Sequence, residues 1–486
     1  MHGYILIKPE FLNRDPAIWF NVASVIPRAL CLAVTKIFMT NPSAPQPENH
    51  GSAPEPGPHI MFQRRFAPYF WTQVSGAAND NLFKFAVTIM LTYHLSVSWL
   101  PPEMAGVVIN GMFIIPFLLL SAVSGQMSDK FEKARFMRWI KTAEIVIMAL
   151  AAIGLIYQQV FILLLCVLLM GVHSTVFGPV KFAYLPQVYQ GTALVSGNGW
   201  VEMGTFVAIL LGNMVGGFMA GIEGIGYHYV AVSCLLIALA GRLFSALVPP
   251  TSTSSPDLQL DWNPIGGTIE NLKYAFHDLH VFKSILLISW MWFFGAVYLA
   301  IFPVFAKEIL RGDEQVATLL LGVFSIGVGF GSVLCGWIGK KGLNVLKLVP
   351  IGAAGMTIFS IGLYFSTDDL NSSHLLSLHE FVTMASNWKL IAGLFLLSMS
   401  AGLYSVPLYV LIQQKTPKTH SSRMIAANNI MNAIFLVASS IITGLLIAYS
   451  TIPLIVLFLG IANAIFVFLV MRSDHSYISE MREPML

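Results

Sequence analysis

Twelve apolar segments of membrane-crossing length recur between Phe66 and Met471. They fall near 66–94, 104–127, 136–157, 160–180, 198–221 and 227–248, then near 284–306, 316–338, 345–366, 389–411, 426–449 and 451–471. About 20 residues of helix cross the ~30 Å of a bilayer's hydrocarbon. Backbone N–H and C=O groups find no water there, so each segment must satisfy them internally, which selects helices over open strands. Only 10% of the residues are charged and 56% are hydrophobic, whereas a soluble domain carries about 25% charge. A water-soluble core is excluded. The expected fold class is an all-α membrane protein with twelve transmembrane helices in two pseudo-symmetric six-helix bundles.

The order of segments sets the expected domains. Residues 1–63 read as an N-terminal extension, disordered or a misassigned start with Met39 or Met61 as the true first residue. Its 17–39 stretch is broken by Pro27, Arg28 and Lys36, and 41–58 is dense in Pro, Ser, Gly and Glu, a linker-like composition. No cleavage site of a secretory signal follows. Residues 64–248 make a first six-helix bundle, 249–283 a cytoplasmic linker, 284–471 a second bundle and 472–486 a cytoplasmic tail. Within the linker, Ile265, Ile269, Leu272, Phe276, Leu279 and Phe282 form a stripe opposite Glu270, Lys273, His277 and Asp278. That spacing predicts an amphipathic helix on the inner leaflet, tying the bundles together.

Cations give the orientation. Arg64, Arg65, the run from Lys130 to Lys141, Lys181, Lys273, Lys283, Lys340, Lys341, Lys347, Lys415, Lys418, Arg423 and Arg472 share one side if the segments alternate. The opposite loops hold Lys307, Arg311 and Lys389. The positive-inside rule then places both termini in the cytoplasm. A repeat supports the duplication: Pro179, Asn198 and Glu202 recur at similar spacing as Pro407, Asn428 and Asn432. Four residues is about one helical turn, so each polar pair shares a face.

Ionisable residues inside such segments are expensive, roughly 2.5–3.5 kcal/mol per charge on insertion scales, and mark polar pathways. The first segment carries Asn79-Asp80-Asn81 with Lys84. Asp80 and Lys84 lie at i,i+4 and are placed to pair on one face; the competing role is a lock between packed helices. Lys181 is read either as a phosphate contact at the inner leaflet or as a snorkelling anchor. Glu202 has three readings: facing a cavity, protonated, or bonded to Asn432 across the bundle interface. Asn198, Asn428 and Asn432 complete the candidate substrate-binding set. Glu144, one turn from Lys141, reads as a local ion pair. Gly212, Gly216 and Gly217, like Gly327, Gly329 and Gly331, read as close-packing positions. The four cysteines are scattered without paired spacing, so neither a disulfide framework nor a metal site is expected. His374 and His379 read as residues of a solvated loop.

After the second segment comes Gly125-Gln-Met-Ser-Asp129-Lys130-Phe-Glu132-Lys133-Ala-Arg135, a turn whose acid and cations suit latching at helix ends. It resembles the signature loop of the major facilitator superfamily, with Glu132 in place of the usual second glycine region, and Gly125, Asp129, Lys130 and Arg135 are its expected gating residues. Within that superfamily the chain resembles the lysophospholipid transporter family. The likeness is carried by Gln73 through Lys84, by Phe177-Gly-Pro179-Val-Lys181-Phe-Ala-Tyr184-Leu-Pro186, by Gly197 through Glu202, by Ile209 through Gly217, and by Val406-Pro407-Leu with Gln413. It spans Arg64 to about Met471. The resemblance implies the major facilitator fold and a lysophospholipid cargo moved from the outer to the inner leaflet. It also implies an inner-membrane location, membrane lipids as surroundings, and a separate acyltransferase as a candidate partner. No cofactor or nucleic acid is implied.

Two rivals follow from the same residues. One is a proton-coupled transporter of a soluble small molecule, such as a drug, sugar or siderophore, in which Asp80 and Glu202 titrate. The other is a membrane acyltransferase, against which stands the lack of an H-x-x-x-x-D pattern; H-E-x-x-H and G-x-x-x-x-G-K-[ST] are missing too.

Overall fold

The computed structural model describes residues 59–472, apart from 96, 223 and 367–374. The chain divides into compact units at Arg64, and every helix named below belongs to the unit beginning at Arg65. Of the first unit, one 3-10 turn, Ile60–Phe62, falls among the described residues; most of the expected extension, and the tail after Arg472, lie outside them.

Twelve long helices appear among the described residues, together with two short ones. The first six are α1 (Ala67–Ile89), α2 (Ala105–Lys130), α3 (Lys133–Ile156), α4 (Val160–Val188), α5 (Gly191–Ala220) and α6 (Gly226–Leu247). A short α7 (Pro264–His277) precedes α8 (Leu279–Val304), α9 (Glu314–Lys340) and α10 (Leu348–Phe365). After a short α11 (Leu378–Thr383) come α12 (Asn387–Lys415), α13 (Ser421–Tyr449) and α14 (Ile452–Arg472). Eleven of the long helices are apolar and long enough to cross a membrane. The exception is α1, whose hydropathy is lowered by Gln73, Asn79, Asp80, Asn81 and Lys84.

Acidic and amide side chains start several helices by accepting orphan backbone N–H groups. Glu132 caps α3 through Ala134 and Arg135 N–H, Asp278 caps α8 through His280 and Val281, and Asp313 caps α9 through Gln315 and Val316. Outward-facing side chains are apolar; Phe218 is 75% exposed and Leu243 69%. Exposed apolar surface on this scale suits contact with lipid rather than water.

The two sets of six pack alike. In the first set α1 lies against α5, α2 against α4, and α3 against α6. The counterparts in the second are α8 against α13, α9 against α12, and α10 against α14. Polar glue recurs as well. Tyr69 Oη on α1 donates to the Lys181 carbonyl at 2.7 Å, and Tyr404 Oη on α12 donates to the Leu287 carbonyl of α8 at 3.0 Å. Both α1 and α8 end in a wider π-type turn, Met90–His94 and Phe305–Ile309. The glycines singled out in the sequence sit at helix crossings: a Cβ on Gly212 or Gly216 would run into α1 at Ala78 and Leu82, and one on Gly331 into Met399 of α12.

Between the sets, α2 runs along α13 and α5 along α9. The helices overrun the apolar segments at the cation-rich end: α4 reaches Val188 rather than 180, α5 starts at Gly191 rather than 198, and α13 at Ser421 rather than 426. Hydropathy locates hydrocarbon, whereas helix length is set by backbone bonding that continues past it. α7 presents Gly267, Asn271 and Ala275 to α2 and α13, while Ile265, Ile269 and Phe276 face outward.

Candidate functional site

A cavity of about 330 Å³ lies between the two sets of helices. Its wall comes from α1, α2, α4 and α5 on one side and from α8, α12 and α13 on the other. Asp80, Asn81, Lys84, Lys181, Glu202 and Asn432, all expected from the sequence, line it. Phe113, Phe117, Phe177, Phe182, Trp292 and Tyr409 make much of the remaining wall. One end reaches Asn110, which is exposed near the start of α2. The other stops short of the cation-rich helix ends.

Asp80 is buried and accepts a hydrogen bond from Ser174 Oγ on α4. The expected Asp80–Lys84 pair is not among the described ion pairs: Lys84 Nζ stands 4.1 Å from the centre of the Phe113 ring on α2. A half-buried ammonium gains from a ring face as well as from a carboxylate, and the aromatic wall lies on its side of α1. Lys181 is not a surface anchor. It sits two turns inside α4, and its Nζ donates to Thr205 Oγ1 at 2.9 Å. Glu202 is 2% exposed and lines the cavity, with Oε1 lacking a partner among the described residues. Asn432 accepts instead from Ser289 Oγ of α8 at 2.8 Å.

Three candidates lie outside the cavity wall. Asn79 turns away toward Glu144, donating to Oε1 at 2.8 Å. Asn198 joins the two sets: its Nδ2 donates to Gln413 Oε1 at 2.7 Å, Gln413 Nε2 donates back to Asn198 Oδ1 at 3.1 Å, and to the Phe182 carbonyl at 3.1 Å. That doubled amide bond makes Asn198 a strut. Asn428, its counterpart in the repeat, is fully buried in α13 and is not part of the lining.

Lys141 and Glu144 form the expected local pair, 2.7 Å apart and fully buried. His173 of α4 adds Nε2 at 3.3 Å from the same carboxylate oxygen. An ion pair taken from water into a dry interior holds only when its remaining lone pairs are satisfied, and Asn79 supplies an N–H to the second oxygen. His173 also lines the cavity beside Ser174, so the cluster borders the polar path.

Of the four expected gating residues, Gly125 and Asp129 sit where α2 meets α13 at the cation-rich end; Gly125 to Lys130 is the last part of α2 and not a loop, and Phe131 and Glu132 make the turn. Asp129 is fully buried and accepts the Ser422 N–H at 3.1 Å and Arg423 Nε at 3.3 Å, both from the start of α13. Gly125 allows that approach: a Cβ there would lie 2.8 Å from the Ala426 Cβ. Arg135 leans over Trp139 instead, 5.4 Å from the ring, away from the seam. No described bond involves the Lys130 side chain. The linker crosses the seam too: Thr251 N–H donates to Glu132, Lys133 Nζ to Ser254 Oγ at 3.0 Å, and Ser255 Oγ to the Thr419 carbonyl at 3.2 Å. At the edge of this latch His420 stacks on Tyr274 of α7, ring centres 4.5 Å apart. Burial first, and Arg423 second, hold its imidazole below the ordinary value.

Sequence reasoning missed His173, Ser174, Thr205, Trp292 and Tyr409. His173 had a usable signal, an ionisable residue inside an apolar segment. The aromatic pair had none, because aromatic residues in such segments ordinarily fill core or face lipid.

Residues 69–378 match the family model described as Major Facilitator Superfamily. A lysophospholipid transporter, LplT, of Cronobacter sakazakii is 24% identical over 361 residues, covering 73% of this chain and 81% of that protein. The LplT of Escherichia fergusonii is 25% identical over 353 residues, 71% of this chain and 79% of its own length. Among solved structures, the human organic anion transporter MFSD10 (TETRAN) superposes with a TM-score of 0.67 at 12% identity, over 84% of this chain and 99% of that one. A bacterial homologue of the iron transporter ferroportin gives 0.64 at 13% identity, over 86% and 100%. These two likenesses concern the fold alone.

Proposed function

The chain belongs to the major facilitator superfamily, a multi-pass membrane transporter and not an enzyme, and on that premise we propose that its cargo is a lysophospholipid. The observation that carries the proposal is the cavity's pairing of two acids, Asp80 and Glu202, with two cations, Lys84 and Lys181, inside an aromatic wall. A zwitterionic or anionic headgroup stripped of water needs partners of both signs, and this wall offers them. At about 330 Å³ the space is near the small end of ligand sites (~300–1,000 Å³). It suits a headgroup with its glycerol, leaving the single acyl chain to lie toward lipid along α2 and α13. The LplT relatives support the same cargo.

The proposed membrane is the bacterial inner membrane, with both termini cytoplasmic. Positive-inside logic puts the Asp129–Arg423 end there, so the cavity faces the outer leaflet with its cytoplasmic end closed. Transport then runs from outer to inner leaflet as the two sets of helices rock about the midplane site. Reacylation of the delivered lipid falls to a separate acyltransferase.

Reconstitution tests this. Proteoliposomes carrying the protein should move labelled lysophosphatidylethanolamine, and Asp80→Ala should lower the rate about tenfold or more, the equivalent of ~1.4 kcal/mol. Full activity in Asp80→Ala removes Asp80 from cargo handling. One observation favours a second reading, proton-coupled transport of a soluble small molecule: Glu202 Oε1 has no partner among the described residues and is placed to take a proton. Cargo-driven proton flux without any lysolipid movement would establish that rival.

A further inference from the structure

We propose that Glu202, Trp292, Tyr409 and Phe182 form a subsite for the cationic nitrogen of the cargo's headgroup, so that amine-bearing headgroups are preferred over glycerol. This deepens the lysophospholipid reading and rests on it.

The four side chains meet at the closed end of the cavity. Glu202 brings a carboxylate that is 2% exposed, with Oε1 unpartnered among the described residues. Asn198 and Gln413, each one turn nearer the cation-rich end of α5 and α12, bond each other, which sets Glu202 level with Tyr409 across the two helices. The rings beside it are held in fixed attitudes. Tyr409 stacks on Phe182 with centres 4.6 Å apart and planes 3° from parallel, and Trp292 stacks on Phe206 at 5.8 Å. Trp292 Nε1 donates to Tyr409 Oη at 3.3 Å, tying the two walls together.

A buried carboxylate beside rigid aromatic faces is the chemistry that holds an ammonium: the anion neutralises it, and the ring quadrupoles replace its water. Asp80 already accepts a bond from Ser174, with Lys84 one turn away. Lys181 is fixed by Thr205 near Glu202 and is placed for the adjoining phosphate. The subsite therefore reads a phosphate and an amine on one short headgroup.

The nitrogen would also join the two halves. Glu202 and Phe182 come from α5 and α4, whereas Trp292 and Tyr409 come from α8 and α12. Asn198 lies one turn from Glu202, and Gln413 bonds the Phe182 carbonyl. Occupancy is thus felt next to the strut that has to part before the cavity can open to the other side.

The test uses detergent-purified full-length protein and two water-soluble headgroups, glycerophosphoethanolamine and glycerophosphoglycerol, titrated by calorimetry. Lysolipid movement is followed in parallel in proteoliposomes. The wild type is expected to bind the amine headgroup more tightly. That preference should fall about tenfold in Glu202→Gln, a change that conserves shape, and severalfold in Trp292→Leu. Equal binding of the two headgroups, no measurable binding of either, or a preference untouched by Glu202→Gln overturns the subsite. If lysolipids move without headgroup discrimination, the subsite fails and the lysophospholipid reading stands. If no lysolipid moves while the Glu202-dependent preference persists, the subsite stands and the cargo assignment fails.

Discussion

Glu144 spreads its carboxylate between three helices, taking Lys141 from its own helix, Asn79 from α1 and His173 from α4. The spacing of three between Lys141 and Glu144 was legible in the sequence. The other two partners were not, because Asn79 is 65 residues away in the chain and His173 lies on the next helix, and contacts at such separations leave no local pattern. Gly76 belongs to this cluster: a Cβ there would come within 2.6 Å of Lys141 Nζ, so the ammonium rests against bare α1 backbone. Removing one member of a buried pair strands the other at a cost of about 3–5 kcal/mol. Lys141→Met should therefore lower the unfolding temperature in detergent sharply, and Lys141→Met with Glu144→Leu should recover most of the loss. A single variant as stable as the wild type would show that the pair contributes little to holding α1, α3 and α4 together.

At the scale of helices, the proposed rocking requires the seam between α2 and α13 to open. Gly125 and Ala426 face each other closely enough that cysteines at both positions should form a disulfide after a small shift, since bridged Cβ atoms sit ~3.5–4.5 Å apart. Oxidation of Gly125→Cys with Ala426→Cys should abolish transport, and reductant should restore it. Transport that persists in the fully cross-linked protein would mean that this seam need not open. Acid should loosen it. His420 prefers the neutral form in the closed latch, so protonation below the ordinary imidazole value of ~6.5 is linked to opening. Cross-linking by a fixed-length thiol reagent should slow between pH 7 and pH 5, and slow less in His420→Gln. An identical pH response in the two proteins would exclude His420 from the latch's titration.

Helix number and the Pro179/Asn198/Glu202 repeat could be read before any coordinates, because hydropathy and spacing are properties of single segments. Helix overrun at the cation-rich end could not, since Gln187 and Gln413 look like loop polarity until they are seen bonding. The same limit divided the candidate site. Asp80 and Glu202 announced themselves as charges in apolar segments, but which face of each helix meets the cavity depends on packing. Asn79 and Asn198 consequently proved to be internal partners, while Ser174 and Tyr409 took places in the wall.

For the whole molecule, the proposed transport requires a single-chain phospholipid to seat its headgroup between the two sets of helices. Photo-labelling with lysophosphatidylethanolamine carrying a diazirine on the headgroup, followed by peptide mapping, tests it most directly. Adducts are expected on cavity-lining stretches around Asp80, Lys181, Glu202 and Tyr409, suppressed by excess unlabelled lysolipid. Adducts confined to the outward apolar belt, at Leu211, Phe218, Leu236 and Leu243, and insensitive to competitor, would contradict it.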